Sequence, residues 1–134
     1  MAPERRRIYL VLLVGWVGLT FLLTSIPHPH LPVDVPYFDK AAHFGIYGVT
    51  GFLYALLRRE TGVPRSRAIL HALLFVASVG AVDEVHQHWI PGRSMDLFDW
   101  MTDVAGGALG TAASGVLPRF LPFLVTESSS GGHA

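Results

Sequence analysis

Between residues 83 and 99 the chain reads Asp83-Glu84-Val85-His86-Gln87-His88, then Pro91-Gly92-Arg93, then Asp96 and Asp99. Carboxylates, imidazoles, an amide and a guanidinium in so short a stretch are the groups that move protons and hold anions. A second set precedes it, Asp39, Lys40, His43 and Tyr47, and Asp103 follows it. Spacing sorts them onto helix faces. Asp39, His43 and Tyr47 recur every four residues, and Glu84 and Gln87 are three apart. Asp96, Asp99, Asp103, Gly106 and Gly110 follow steps of three, four, three and four, one seam that turns from acidic to small. Gly106 and Gly110 form a GxxxG, which permits close helix approach. Asp83 and Glu84 are adjacent and point about 100° apart on a helix, so Glu84, in line with Gln87, is the expected site member.

Each residue has a chemical and a bland role. His43 titrates near neutrality and could act as general acid or base with Asp39 one turn away to orient it, or be a neutral histidine bonded across helices. Arg93, on a Pro-Gly turn, suits phosphate or carboxylate, and could equally pair with Glu84, Asp96 or Asp99 for folding alone. Lys40 could bind an anionic head group; pairing with an acid at the interface is expected. His43, Glu84, His86 or His88 and Asp99 have the chemistry of metal ligands. His86 and His88 diverge on a helix, however, and no metal or cofactor is assigned. His28, His30 and His71 read as loop or interfacial residues, Trp89 and Trp100 as interface anchors, and Trp16 as lipid-facing or packing. The patterns GxSxG, HExxH and the Gly-rich phosphate loop are absent.

The elements that must position these groups follow from composition. The chain has 134 residues, is 51% hydrophobic and 15% charged, and has zero formal net charge and no cysteine. That is too apolar for an ordinary soluble domain, offers no basic excess for nucleic acid, and excludes disulfides and thiolate sites. Residues 1–7 are a basic tail. Ile8 to Ile26 carries no charge and is long enough to span a bilayer uncleaved. Pro27, Pro29, Pro32 and Pro36 make residues 27–38 a loop. Phe38 to Leu57, Ala68 to about Trp89, and about Asp96 to Leu117 are three further spans, and 119–134 is a polar tail expected to be disordered. Arg5, Arg6, Arg7, Arg58, Arg59, Arg65, Arg67 and Arg119 would flank one side, with Lys40 and Arg93 opposite. Both termini are then expected in the cytoplasm, and the acids gather outside with the polar ends of three spans. Charged groups within spans are costly and face partners or water.

These residues resemble the VanZ-like family of small membrane proteins, named for a member associated with glycopeptide resistance. The resemblance covers about Asp39 to Gly110. It rests on Asp39-Lys40 with His43 and Tyr47, Asp83-Glu84 with Gln87, Pro91-Gly92-Arg93, and Asp99 with Asp103, Gly106 and Gly110. The family pattern often has Asn where this chain has Asp103, and an Asp donates a hydrogen bond there only when protonated. The resemblance implies a role at the bacterial envelope and, in some members, a link to glycopeptide tolerance.

The expected architecture is all-α: a four-helix transmembrane bundle, residues 8–118, with an outward-facing polar pocket in a bacterial cytoplasmic membrane. His43, Glu84 and Asp99 are read as the proton-transfer set, and Asp39, Lys40, Tyr47, Gln87, Arg93 and Asp103 as binding a lipid-linked or peptidoglycan-derived head group, or a glycopeptide. The rival is a non-catalytic binding or assembly module whose ionic cluster only registers the helices. Proton or ion transport lacks a polar path through the apolar inner half.

Overall fold

The computed structural model of the chain describes residues 2–27 and 37–125. Four helices run in order, α1 (Ala2–Thr24), α2 (Phe38–Glu60), α3 (Arg65–Gln87) and α4 (Leu97–Val116), followed by 3-10 turns at Leu117–Arg119 and Pro122–Leu124. The expected all-α architecture is the observed one, with no strand among the described residues. The basic residues Arg5, Arg6 and Arg7 lie on α1 itself, because Pro3 near a helix start costs no hydrogen bond. His28, His30, Asp34 and most of the proline loop lie outside the described residues, as do 126–134.

Local chemistry sets the joints. Pro64 caps α3, and Gly62, at φ 73°, closes α2 by donating its N–H to the Arg59 carbonyl at 3.1 Å. Between α3 and α4, the Arg93 N–H bonds the Ile90 carbonyl at 3.1 Å across Pro91-Gly92, with Gly92 at φ 78°. Proline second and a left-handed glycine third are what such a turn requires. Asp96 then caps α4, its carboxylate accepting from the Phe98 N–H at 2.7 Å.

The α2–α4 pair is the centre of the bundle, α3 packs on both, and α1 lies mainly against α2. Glycine sets the central contact. A Cβ on Gly110 would overlap the Gly48 carbonyl oxygen, one on Gly106 that of Phe44, and one on Gly51 that of Gly107. The seam expected from Gly106 and Gly110 is therefore met by the α2 backbone at Phe44 and Gly48. Trp16 donates to the Ile46 carbonyl at 3.0 Å, and Trp100 to that of Ala77 at 2.9 Å, so Trp100, expected as an interface anchor, also ties α4 to α3.

Tyr9, Leu13, Leu56 and Leu57 form an apolar cluster at one end, which Val125 joins, and Tyr9 donates its hydroxyl to the Leu124 carbonyl. Part of the expected polar tail is thus folded back on α1. At this end Arg59 caps the Ser114 carbonyl at 2.7 Å. Apolar side chains cover the outside, with Val11 and Leu22 each 69% exposed. α1 and α3 are long and apolar enough to cross a membrane.

Candidate functional site

At the end of the bundle away from Tyr9 and Arg59, polar side chains from all four helices meet. Tyr47, His43, Asp83, Glu84, Gln87, Asp99 and Asp103 are buried, and Asp83 and Asp103 are both 0% exposed. Water cannot solvate such groups, so each must be matched by a neighbour, a proton or an ion.

His43 and Asp103 sit where α2 and α4 come closest. The close approach at Gly106 and Gly110 draws the α4 acids against α2, and His43 Nδ1 is 2.8 Å from Asp103 Oδ1. Asp39, expected to orient His43, is the weaker neighbour: it is 3.9 Å from Nε2, with its side chain 62% exposed. Asp103 takes that part because it reaches His43 across the glycine seam rather than along one helix.

Lys40 pairs with Asp99 at 2.6 Å and Asp96 at 3.2 Å, joining the start of α2 to the start of α4. The pairing expected of Lys40 is found, and it engages Asp99, one of the residues read as a proton-transfer group. Arg93 donates from Nε to Gln87 Oε1 at 3.0 Å and lies 3.7 Å from Asp39, partners other than the acids expected for it. Asp96 stands ahead of α4. The Phe98 N–H, aided by Lys40, holds its carboxyl below the usual carboxylate range.

Asp83 and Glu84 do diverge, but both divergent directions point inward. Asp83 accepts from Thr24 at 2.6 Å, Tyr47 at 3.1 Å and Gln87 at 3.3 Å, so it faces α1 and α2. Glu84 faces α4, accepting the Asp96 N–H at 2.8 Å on Oε2. Sequence reasoning put Asp96 on the α4 seam but not among the site residues, left Asp83 out of the site, and passed over Thr24. The signal for Asp83 was its four-residue spacing to Gln87; for Thr24 it was Thr20 one turn before it within the charge-free run of α1.

Two oxygens remain without a hydrogen-bond partner, Glu84 Oε1 and Asp103 Oδ2. Single donor atoms of His43, Glu84 and Asp103 lie within 4.8 Å of one another, as do those of Asp39, His43 and Asp99. His86 and His88 enter neither set. The side chains of the cluster pack on one another. Two grooves, of about 250 and 220 Å³, lie elsewhere, beside Tyr54 and His71 and beside Val17 and Phe21.

Chemically, the arrangement offers an imidazole held between carboxylates, and two cations at its rim. Among the described residues, the carboxyls of Asp39, Asp83, Glu84, Asp96, Asp99 and Asp103 stand against the fixed charges of Lys40 and Arg93, a surplus of acids that a bound cation would offset. Among families of known proteins, the one described as VanZ/LLP1 matches residues 5–117. No curated protein and no solved structure matches the chain.

Proposed function

Because the chain belongs to the VanZ/LLP1 family, we propose that it is a four-span protein of the bacterial cytoplasmic membrane, both termini inside, whose acidic end faces outward. There it binds, or modifies by acid and base chemistry, a lipid-linked or peptidoglycan-derived head group, and so contributes to tolerance of teicoplanin-type glycopeptides. Support for the membrane placement comes from α1 and α3, which are apolar enough to span, and from the apolar outer surface. Arginines flank the end opposite the acidic cluster, which fits that end facing the cytoplasm.

The observation that carries the reading is the buried meeting of His43, Glu84 and Asp103 behind a rim of Lys40 and Arg93. An anionic head group would take the place of Asp39, the most exposed acid of the network, beside the Arg93 guanidinium. Lys40, anchored by Asp99, would hold a second oxygen. With Asp103 ionised and accepting from Nδ1–H, His43 would keep Nε2 to take or return a proton. Glu84 would serve as the second proton carrier.

A non-catalytic assembly role is favoured by one observation: most polar contacts in the cluster cross between helices, as register pins would. One experiment separates the two. Arg93→Gln, His43→Gln and Glu84→Gln are expressed singly, with membrane abundance and teicoplanin susceptibility measured for each. Wild-type abundance with lost protection is the result expected of a site. Loss of abundance in all three would leave the assembly role.

A further inference from the structure

We propose that His43, Glu84 and Asp103 form a binding site for one divalent transition-metal ion of the Zn²⁺ class, shared by α2, α3 and α4. The donor atoms within 4.8 Å of one another are the first observation. Ligands around a tetrahedral zinc, at metal distances near 2.0–2.2 Å, stand about 3.5 Å apart, so small side-chain rotations close the set.

The second observation is independent of the clustering. Glu84 Oε1 and Asp103 Oδ2 have no hydrogen-bond partner, on residues 3% and 0% exposed. Buried carboxylate oxygens without donors are rare, and an ion is one of the few things that satisfies them. Their placement agrees with a shared occupant. Asp103 Oδ2 lies on the α3 side of its helix, 3.0 Å from where a Gly80 Cβ would stand, and Gly80 is one helical turn before Glu84 on the same face. Glycine at position 80 keeps that space free of a side chain.

A proton is the competing occupant: protonating either carboxyl makes an O–H donor for which the unpartnered oxygen of the other is an available acceptor, so stoichiometric metal binding is what separates the two. The overlapping set of Asp39, His43 and Asp99 is disfavoured, because Lys40 holds Asp99 at 2.6 Å and Asp39 reaches solvent. One imidazole and two carboxylates suit Zn²⁺ or Mn²⁺; calcium takes six to eight oxygens. Bound there, the ion would neutralise the surplus of carboxylates and tie three helices together.

This site rests on donor geometry and stands without the head-group reading. The test uses the full chain purified in detergent and stripped with chelator, then titrated with Zn²⁺ alone by calorimetry. About one ion per chain is expected, with a raised unfolding temperature. Glu84→Gln and Asp103→Asn should each weaken binding at least tenfold. Asp96→Asn, which lies outside the set and keeps the helix cap, should bind as the wild type does. Should a variant fail to fold, Co²⁺ added to stripped wild type supplies the answer: visible d–d bands of a nitrogen and oxygen site support it. Absent bands, no wild-type binding, or equal binding by folded Glu84→Gln and Asp103→Asn would overturn the proposal. Zinc binding whose loss leaves teicoplanin susceptibility unchanged would uphold the metal site and count against the head-group reading.

Discussion

Gly110→Ala adds one methyl group at the point where α4 touches the α2 backbone, and its cost can be worked from the packing. The new Cβ would overlap the Gly48 carbonyl oxygen, which is backbone and cannot rotate away. To restore ordinary contact, α4 must retreat by on the order of 1 to 2 Å. The His43–Asp103 contact at 2.8 Å and the Lys40–Asp99 contact at 2.6 Å both bridge that interface, and such a retreat takes them past hydrogen-bond range. Overpacking costs about 1–3 kcal/mol, and a lost charged hydrogen bond about 1.5–3 kcal/mol. The better helix propensity of alanine returns about 0.5–1 kcal/mol. Taking the buried His43–Asp103 bond at the charged-bond value and the part-exposed Lys40–Asp99 pair as screened by solvent to little, a net loss of about 1.5–5.5 kcal/mol follows, or roughly 10- to 10,000-fold in the folded-to-unfolded ratio. The control is Gly45→Ala on α2, where a Cβ meets nothing within 4 Å, so only the propensity gain remains. Denaturant titration of both purified variants in mixed micelles, followed by circular dichroism, reads the difference. Equal stability of Gly110→Ala and Gly45→Ala would refute the claim that this seam holds the site together.

Two further substitutions probe the network itself. Tyr47→Phe removes one donor from the buried Asp83 carboxylate while Thr24 and Gln87 remain, so a loss of about 1–2 kcal/mol is expected in the same titration. Asp96→Asn keeps a capping oxygen and removes the charge. The folded pKa of Asp96 is depressed, chiefly by the Phe98 N–H, so its ionisation contributes stability above the unfolded carboxylate pKa, a contribution lost as pH falls through the folded value. Thermal unfolding at stepped acid pH should show the wild type's advantage over Asp96→Asn shrinking in that window; a constant difference would contradict the assignment.

Much of the architecture was legible because membrane helices write their boundaries in composition. The prolines from Pro27 and the Pro91-Gly92 turn mark the helix ends to within a few residues, whereas α1 starts at Ala2, six residues before the charge-free run, because Arg5, Arg6 and Arg7 continue the same helix. The α4 stripe of Asp99, Asp103, Gly106 and Gly110 was visible as a face, and all four residues are buried on it. Which residues that face would meet was less visible. Periodicity reports a direction on one helix and says nothing of the partner opposite. His43 was therefore matched to Asp39 along its own helix, whereas Asp103 reaches it from α4. The glycines of α2, Gly48 and Gly51, were passed over for the same reason: their meaning depends on the α4 backbone that rests on them. Asp83 was set aside because a single pocket was assumed, and α1, through Thr24, supplies a second direction in which a buried carboxylate can be satisfied.

The polar ends of α2, α3 and α4 converge in one cluster, and the proposed function puts that cluster on the outer side of the membrane. The chain has no cysteine, so introduced ones report without background. The direct measurement is cross-linking of the pair Asp39→Cys and Arg93→Cys in intact cells by a short, membrane-impermeant bifunctional thiol reagent, at positions whose native side chains approach to 3.7 Å. Efficient cross-linking without permeabilisation is the predicted result. Cross-linking only after the membrane is opened, or none at all in a folded protein, would contradict it.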